Sequence, residues 1–393
     1  MANGKLAFRA GMMVGAAAGA LWVVAGRRWL DSEYELLDWN RVEEIAIRTS
    51  GKPPLGTPWS SLRLRSSYEK MVRELEAPIS EYTRTSLPSS EISVSVMGRK
   101  EWIEANVTGF RYLFEPVEEM YRELGRQTTV VVPGLAKLSQ MAVSSQIGLL
   151  LGYLSRRVLG QYDMSVLGRE PLQGSSGGRL YFVQQNIEGV EAQLGLPAEE
   201  FRSWIVLHES THAHEFEVFP WLRDYMNHIL RAYLDCVLHE VRGASGGSAA
   251  GPMIVARMID NLRSGRSILE SIMSPRQQRY MRQLQALMCL LEGYSNHVMN
   301  EVGKRIMPHY DGIKRRVESR SKEKSPAEQL FLKLTGLSMK MDQYRLGEVF
   351  VDRVVAARGI EFANRAYEGP ENLPTMEEVL HPERWIARME SVV

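Results

Sequence analysis

The chain has 393 residues, 44% apolar and 24% charged, with a formal net charge of +1. This is the composition of a folded protein with a sizeable core, and its near-neutrality carries no electrostatic footprint for nucleic acid. Cys236 and Cys289 are the two cysteines, and neither sits in a metal-type pair; a disulfide scaffold is excluded and a reducing compartment is favoured.

Residues 1–30 stand apart. Residues 10–26 form an unbroken apolar run of 17, preceded by Lys5 and Arg9 and followed by Arg27-Arg28. That length lies at the lower limit for a membrane-spanning helix. Gly11, Gly15 and Gly19 have the small-xxx-small spacing of closely packed membrane helices. No small-x-small cleavage site precedes a mature start, so an anchor is expected and not a signal peptide. The soluble alternative is an Ala/Gly-rich helix packed on the single large domain expected from residues 31–393. Basic residues flank both ends, so they do not set an orientation.

Residues 36–47 open a helical pattern that Pro53, Pro54, Gly56 and Pro58 break. Residues 68–82 are periodic again, and Ile92-Ser93-Val94-Ser95-Val96 alternates like a short strand. Residues 101–114 are amphipathic, with Trp102, Ile103, Val107, Phe110 and Phe114 on one side. The next helix, residues 135–159, is interrupted by Gln140, Gln146 and Gly148, which makes it buried core rather than a membrane span. A Gly/Ser turn at 174–178 leads into Leu180-Tyr181-Phe182-Val183, a short β-type run. Helices are expected over 221–241, 253–273, 277–306 and 330–355, with a flexible small-residue loop at 243–251 and a solvated charged face at 314–324.

Between the β-type run and the first of those helices lies Trp204-Ile205-Val206-Leu207-His208-Glu209-Ser210-Thr211-His212-Ala213-His214-Glu215-Phe216. Pro197 and Glu199-Glu200 are helix-start signals. Phe201, Trp204, Ile205, His208, His212 and Phe216 then fall on one 3.6-residue stripe, so the histidines continue a buried face. Residues four apart share a helix face, which aims His208 and His212 at one spot. Two imidazoles so placed suit a zinc ion, and Glu209, rotated off their line, is placed to act as general base toward a zinc-activated water. The plainer alternative is two core histidines in ordinary hydrogen bonds. A strand ahead of such a helix either binds an extended substrate by strand addition or packs beneath the helix.

The third ligand must come from elsewhere. A metzincin pattern fails, because Glu215 and Val218 stand where Gly and His are needed. Glu215, Glu240, Glu292, His239 and His297 are the candidates. Glu215 lies on the ligand helix itself, pointing along rather than across. Glu292 is a carboxylate in the apolar stretch Ala286-Leu287-Met288-Cys289-Leu290-Leu291, where it is costly unless paired or bound to a metal. Gly293 beside it allows another helix to approach, and Asn296, one turn on, can hydrogen-bond a ligand from outside. Glu292 is therefore the expected third ligand.

His208-Glu-x-x-His212, Leu291-Glu292-Gly293, Lys340-x-x-Gln343-Tyr344-x-x-Gly347 and the tail Leu373-Pro374…His381-Pro382-x-x-Trp385 together resemble a bacterial family described as zinc-dependent metallopeptidases. Some members are associated with genes for deazaflavin-coenzyme biosynthesis. The resemblance runs from Asp38-Trp39 to Arg388 and leaves out the N-terminal apolar segment. It implies a zincin-like core with His208 and His212 as ligands and Glu209 as base. Tyr294 stands where relatives often carry His, a departure that counts against a metal role at that position.

The expected protein is α+β and mostly helical, a zincin-like core with additional helices around it. Its expected function is zinc-dependent hydrolysis of a peptide or amide bond, with Glu209 taking a proton from water and returning it to the leaving amine. His297 or Tyr294 could stabilise the oxyanion, although packed helix residues are commoner. The alternatives are a zinc hydrolase of a small amide and a catalytically silent, metal-stabilised scaffold; retention of Glu209 argues against the scaffold. The catalytic domain is expected to be cytoplasmic and membrane-attached through residues 1–30, with a soluble cytoplasmic protein as the alternative.

Overall fold

The computed structural model describes residues 36–51, 62–88, 92–126, 133–163, 178–245, 273–322 and 337–391. The expected anchor at 10–26 and nearly all of the expected helix at 253–273 lie outside the described residues. Among the described residues, no helix is long and apolar enough to cross a membrane.

The chain runs through α1 (Trp39–Thr49), α2 (Leu62–Thr83), β1 (Ser93–Met97), α3 (Arg99–Arg126), α4 (Pro133–Ser155), β2 (Gly160–Asp163) and β3 (Arg179–Val183). It continues with α5 (Gln184–Leu194), α6 (Ala198–Val218), α7 (Trp221–Ser245), α8 (Pro275–Ile306), α9 (Tyr310–Lys322) and α10 (Leu337–Arg358). Short elements close it: α11 (Ile360–Asn364), two 3-10 turns (Arg365–Tyr367 and Pro370–Asn372), α12 (Met376–Leu380) and α13 (Pro382–Glu390). The fold is mostly helical α+β, as the periodicity predicts.

The three strands form one sheet in the order β1-β3-β2. β3 is parallel to β1, with Val94 opposite Leu180 and Val96 opposite Phe182, and antiparallel to β2, with Tyr162 opposite Leu180. Alternation in β1 sends Val94 and Val96 into the core, whereas Leu180–Val183 are buried on both faces of the central strand. That central place corrects the expectation that residues 180–183 could receive a substrate by strand addition, since both of their edges are already bonded. The edge that packs against α6 is β2. It has no β signal of its own; the helix expected to reach residue 159 ends at Ser155, and buried Val158 and Leu159 turn the chain into the sheet.

Helix packing explains most of the remaining sequence. Asp38 caps α1, its side chain accepting from the Arg41 amide. The Gly148-x-x-x-Gly152 face of α4 lies directly on α1: a Cβ at Gly148 would sit 2.7 Å from the Val42 carbonyl oxygen. Trp102, Ile103, Val107, Phe110 and Phe114 of α3 are all buried, as their spacing requires. A Ser274–Gln277 capping box and Pro275 start α8. On α9, Tyr310, Ile313 and Val317 are buried and Arg315 and Arg316 face outward, while Lys314 turns in to Asn300 and Glu348, which corrects the reading of a wholly solvated charged face.

α6 is where the one-face reading falls short. Every residue from Trp204 to Glu217 is buried, because α2, α5, α8, α9, β2 and β3 all pack around the helix. A helix buried on all sides cannot show a single apolar stripe, and its polar residues must find partners inside the protein.

Candidate metal centre

α6 carries His208 and His212 one turn apart, and α8 crosses it to deliver Glu292. One ligand atom from each of the three lies within 4.8 Å of the others, and among the described residues no other such group occurs. Glu292 Oε2 is 3.9 Å from Nε2 of His208 and 3.9 Å from Nε2 of His212. Those separations are too long for hydrogen bonds. Ligand atoms around a tetrahedral zinc at ordinary bond lengths stand about 3.4 Å apart, so Glu292 stands about half an ångström too far from each histidine. Two imidazoles and a carboxylate are also the donor set of one catalytic zinc class. The residues fit the ion.

Each histidine is held from behind. Nδ1 of His212 lies 2.9 Å from Glu215 Oε2, and Glu215 Oε1 accepts a hydrogen bond of 2.6 Å from the Tyr367 hydroxyl. On the other histidine, Ser295 Oγ donates to the His208 carbonyl at 3.2 Å and sits 3.4 Å from Nδ1. Asn296, expected in that part, is half-buried and is not the residue that reaches the ligand. Positions 295 and 296 are both about one turn from Glu292, and the helix crossing selects the former.

Glu209 lies over the start of β2. A Cβ built on Gly160 would come 2.5 Å from Glu209 Cγ and 2.8 Å from its Oε1, so the side chain rests directly on the strand backbone. Glu209 is only 2% exposed, and its negative charge reaches His212. Burial works against a charged His212, but the Glu215 hydrogen bond and the carboxylates of Glu292, Glu215 and Glu209 outweigh it and raise its pKa to about 9. Burial pushes Glu215 up to about 7, against the pull of His212 and Tyr367. An enclosed site whose acids favour positive charge this strongly is electrostatically suited to a cation.

The other candidates lie elsewhere. His297 is clamped between Tyr82, 2.6 Å from Nε2, and Asp352, 2.6 Å from Nδ1. Tyr294 is fully buried and donates to Asn364 at 2.8 Å. Both side chains are committed to packing, which corrects the expectation that either could face an oxyanion. His239 is exposed, and the Glu240 side chain lies outside the described part of the structure. His214, two residues past His212, points round to α2, where Thr85 Oγ1 meets its Nε2 at 2.6 Å. Sequence reasoning missed Ser295, Gly160 and Tyr367, and it weighed Glu215 only as a ligand. The His212-to-Glu215 spacing of three residues was the available signal for an orienting partner.

Two known protein groups resemble the chain. A family model described as zincin-like metallopeptidase matches residues 37–386. A protein from Chloroflexus aurantiacus, its crystal structure described as that of "a putative hydrolase with a novel fold", is 39% identical, covering 90% of this chain and 99% of its own, with a TM-score of 0.65. No functionally curated protein matches. With nearly its whole length inside the family match, the chain belongs to the zincin-like metallopeptidases.

Proposed function

We propose that the protein hydrolyses a peptide or amide bond at a zinc ion held by His208, His212 and Glu292, with Glu209 as general base. The convergence of Glu292, from a separate helix, on the two histidines of one α6 face carries this reading. When bound, zinc supplies a Lewis acid for the substrate carbonyl and lowers the pKa of water. Glu209 stands apart from the ligand trio and keeps its carboxylate against Gly160, placed to take a proton from that water and return it to the leaving nitrogen. The surrounding acids keep the pocket receptive to the cation, while Glu215 and Ser295 hold the two imidazoles.

One observation favours the small-amide form of this reading. His208, Glu209, His212 and Glu292 are each less than 5% exposed, and so enclosed a site suits a compact substrate better than a polypeptide. Metal analysis of purified protein, with a cleavage screen over short amides, peptides and unfolded proteins, tests both parts. The expected result is about one zinc per chain and cleavage that the Glu209→Gln variant loses while keeping its metal. An active Glu209→Gln variant removes the base role; zinc retained by a His208→Ala/His212→Ala double variant removes the site.

A further inference from the structure

Tyr367 and the C-terminal segment are not used by the mechanism just described, yet they reach the metal centre through Glu215. We propose that Glu215 and Tyr367 are positioning residues that set His212 for metal ligation, which makes the segment around residues 365–385 a working part of the site. The inference rests on the metal-centre reading.

An imidazole that ligates through Nε2 carries its proton on Nδ1, and the partner of that proton fixes the tautomer and the ring rotation. For His212 the partner is Glu215 Oε2 at 2.9 Å. The carboxylate is itself locked, because its second oxygen accepts from the Tyr367 hydroxyl at 2.6 Å. Burial, then the neighbouring Glu215 carboxylate, hold the Tyr367 phenol well above its ordinary pKa, so it stays a donor. Glu215 and Tyr367 are both 0% exposed, and water does not compete for these bonds.

Tyr367 is in turn held from three sides. Its carbonyl accepts from Trp221 Nε1 at 2.8 Å, and its ring stacks on Phe219 at 5.0 Å and meets the edge of Tyr294 at 5.1 Å. The 3-10 turn that carries it is tied by Asn372 Nδ2 to the Arg365 carbonyl at 2.9 Å, and the Asn372 carbonyl accepts from Trp385 Nε1 at 2.8 Å. Trp385, prominent in the sequence without an obvious chemical role, thus supports the turn of the residue that braces the ligand.

Glu217, two residues on, shows what a buried glutamate with a purely architectural task looks like. It accepts from the Tyr162 hydroxyl at 2.6 Å and the Gly178 amide at 2.9 Å, and pairs with Arg223 at 3.4 Å. Its partners tie the helix to the sheet and not to the ligands.

Zinc affinity, measured by competition with a chromophoric chelator on the full chain, separates the two roles. Glu215→Gln is expected to weaken zinc binding about 10- to 100-fold, and Tyr367→Phe, which removes one hydroxyl, by several-fold. The absorption bands of the cobalt-substituted protein should shift in both variants. Glu217→Gln should lower the melting temperature and leave zinc affinity and cobalt bands unchanged. Wild-type affinity and bands in both Glu215→Gln and Tyr367→Phe overturn the inference, as does a Glu217→Gln variant that loses zinc equally. A wild-type protein that binds no zinc overturns the metal-centre reading itself, and this inference with it.

Discussion

Gly293 on α8 and Gly347 on α10 face each other with no room for a side chain on either. A Cβ on Gly293 would lie 2.9 Å from the Glu348 amide nitrogen and closer still to the Gly347 carbonyl, while one on Gly347 would press into the Cys289 carbonyl group. The two backbones therefore touch immediately beside Glu292, and the depth at which Glu292 enters the site depends on that contact.

Replacing either glycine with alanine should cost roughly 1–3 kcal/mol, the usual penalty for overpacking, and should also loosen zinc. Chemical denaturation and chelator competition measure the two effects. Stability lost with zinc affinity intact would show that α8 yields at the crossing without moving Glu292.

Among the ligands themselves, Glu292→Ala should reduce bound zinc as sharply as His208→Ala or His212→Ala. His297→Ala should keep it, because that ring is engaged by Tyr82 and Asp352. Elemental analysis after desalting decides; zinc lost from His297→Ala alone would move the third ligand.

Gly160→Ala should separate base from metal. The added methyl needs the space that the Glu209 side chain occupies, so cleavage should fall at least tenfold with zinc retained, since a base displaced by even 1 Å loses its geometry. Unchanged turnover would mean that the carboxylate works from another rotamer.

Away from the site, Arg84 ends α2 with φ at 57°, in the left-handed region. Its flanking residues, Thr83 and Thr85, both bring their hydroxyls to His214 Nε2, at 3.3 and 2.6 Å. Side chains pay a steric penalty in that conformation and glycine does not, so Arg84→Gly should stabilise the protein by about 0.5–1 kcal/mol. A destabilised variant would mean that the exposed arginine makes a compensating contact.

The C-terminal clamp should respond to acid. Burial opposes the charge on Glu378, but Arg388 at 2.7 Å and the Thr375 amide and hydroxyl outweigh it and hold the carboxyl below its usual range. A folded pKa below the unfolded one stabilises at pH above the unfolded value, about 4–5, and that contribution is lost as pH falls through the folded value. Glu378→Gln, which can still complete the Thr375 capping box, should melt lower than wild type at pH 7 and converge with it as pH falls through the lowered folded pKa. A gap that persists in acid would assign the effect to packing.

Local signals explain which features could be read in advance. His208, Glu209 and His212 stand out because a helix turn alone relates them, and Glu292 because a lone carboxylate in an apolar helix calls for a partner. Gly293 announces a close crossing but not its other half, since Gly347 is brought there by packing. Tyr367 bonds a residue 152 positions earlier in the chain, a relationship that no periodicity encodes. β2 exists because β3 offers it an edge, and nothing in Gly160-Gln161-Tyr162-Asp163 demands a strand.

The all-round burial of α6 also sets a timescale. From Trp204 to Glu217 the helix has neighbours on every side, and that stretch has no exposed turn from which to open. Its amides should exchange with solvent hydrogen only through openings close to global unfolding. The histidine geometry is then as durable as the folded state, and whatever movement admits a substrate belongs to the elements packed around α6.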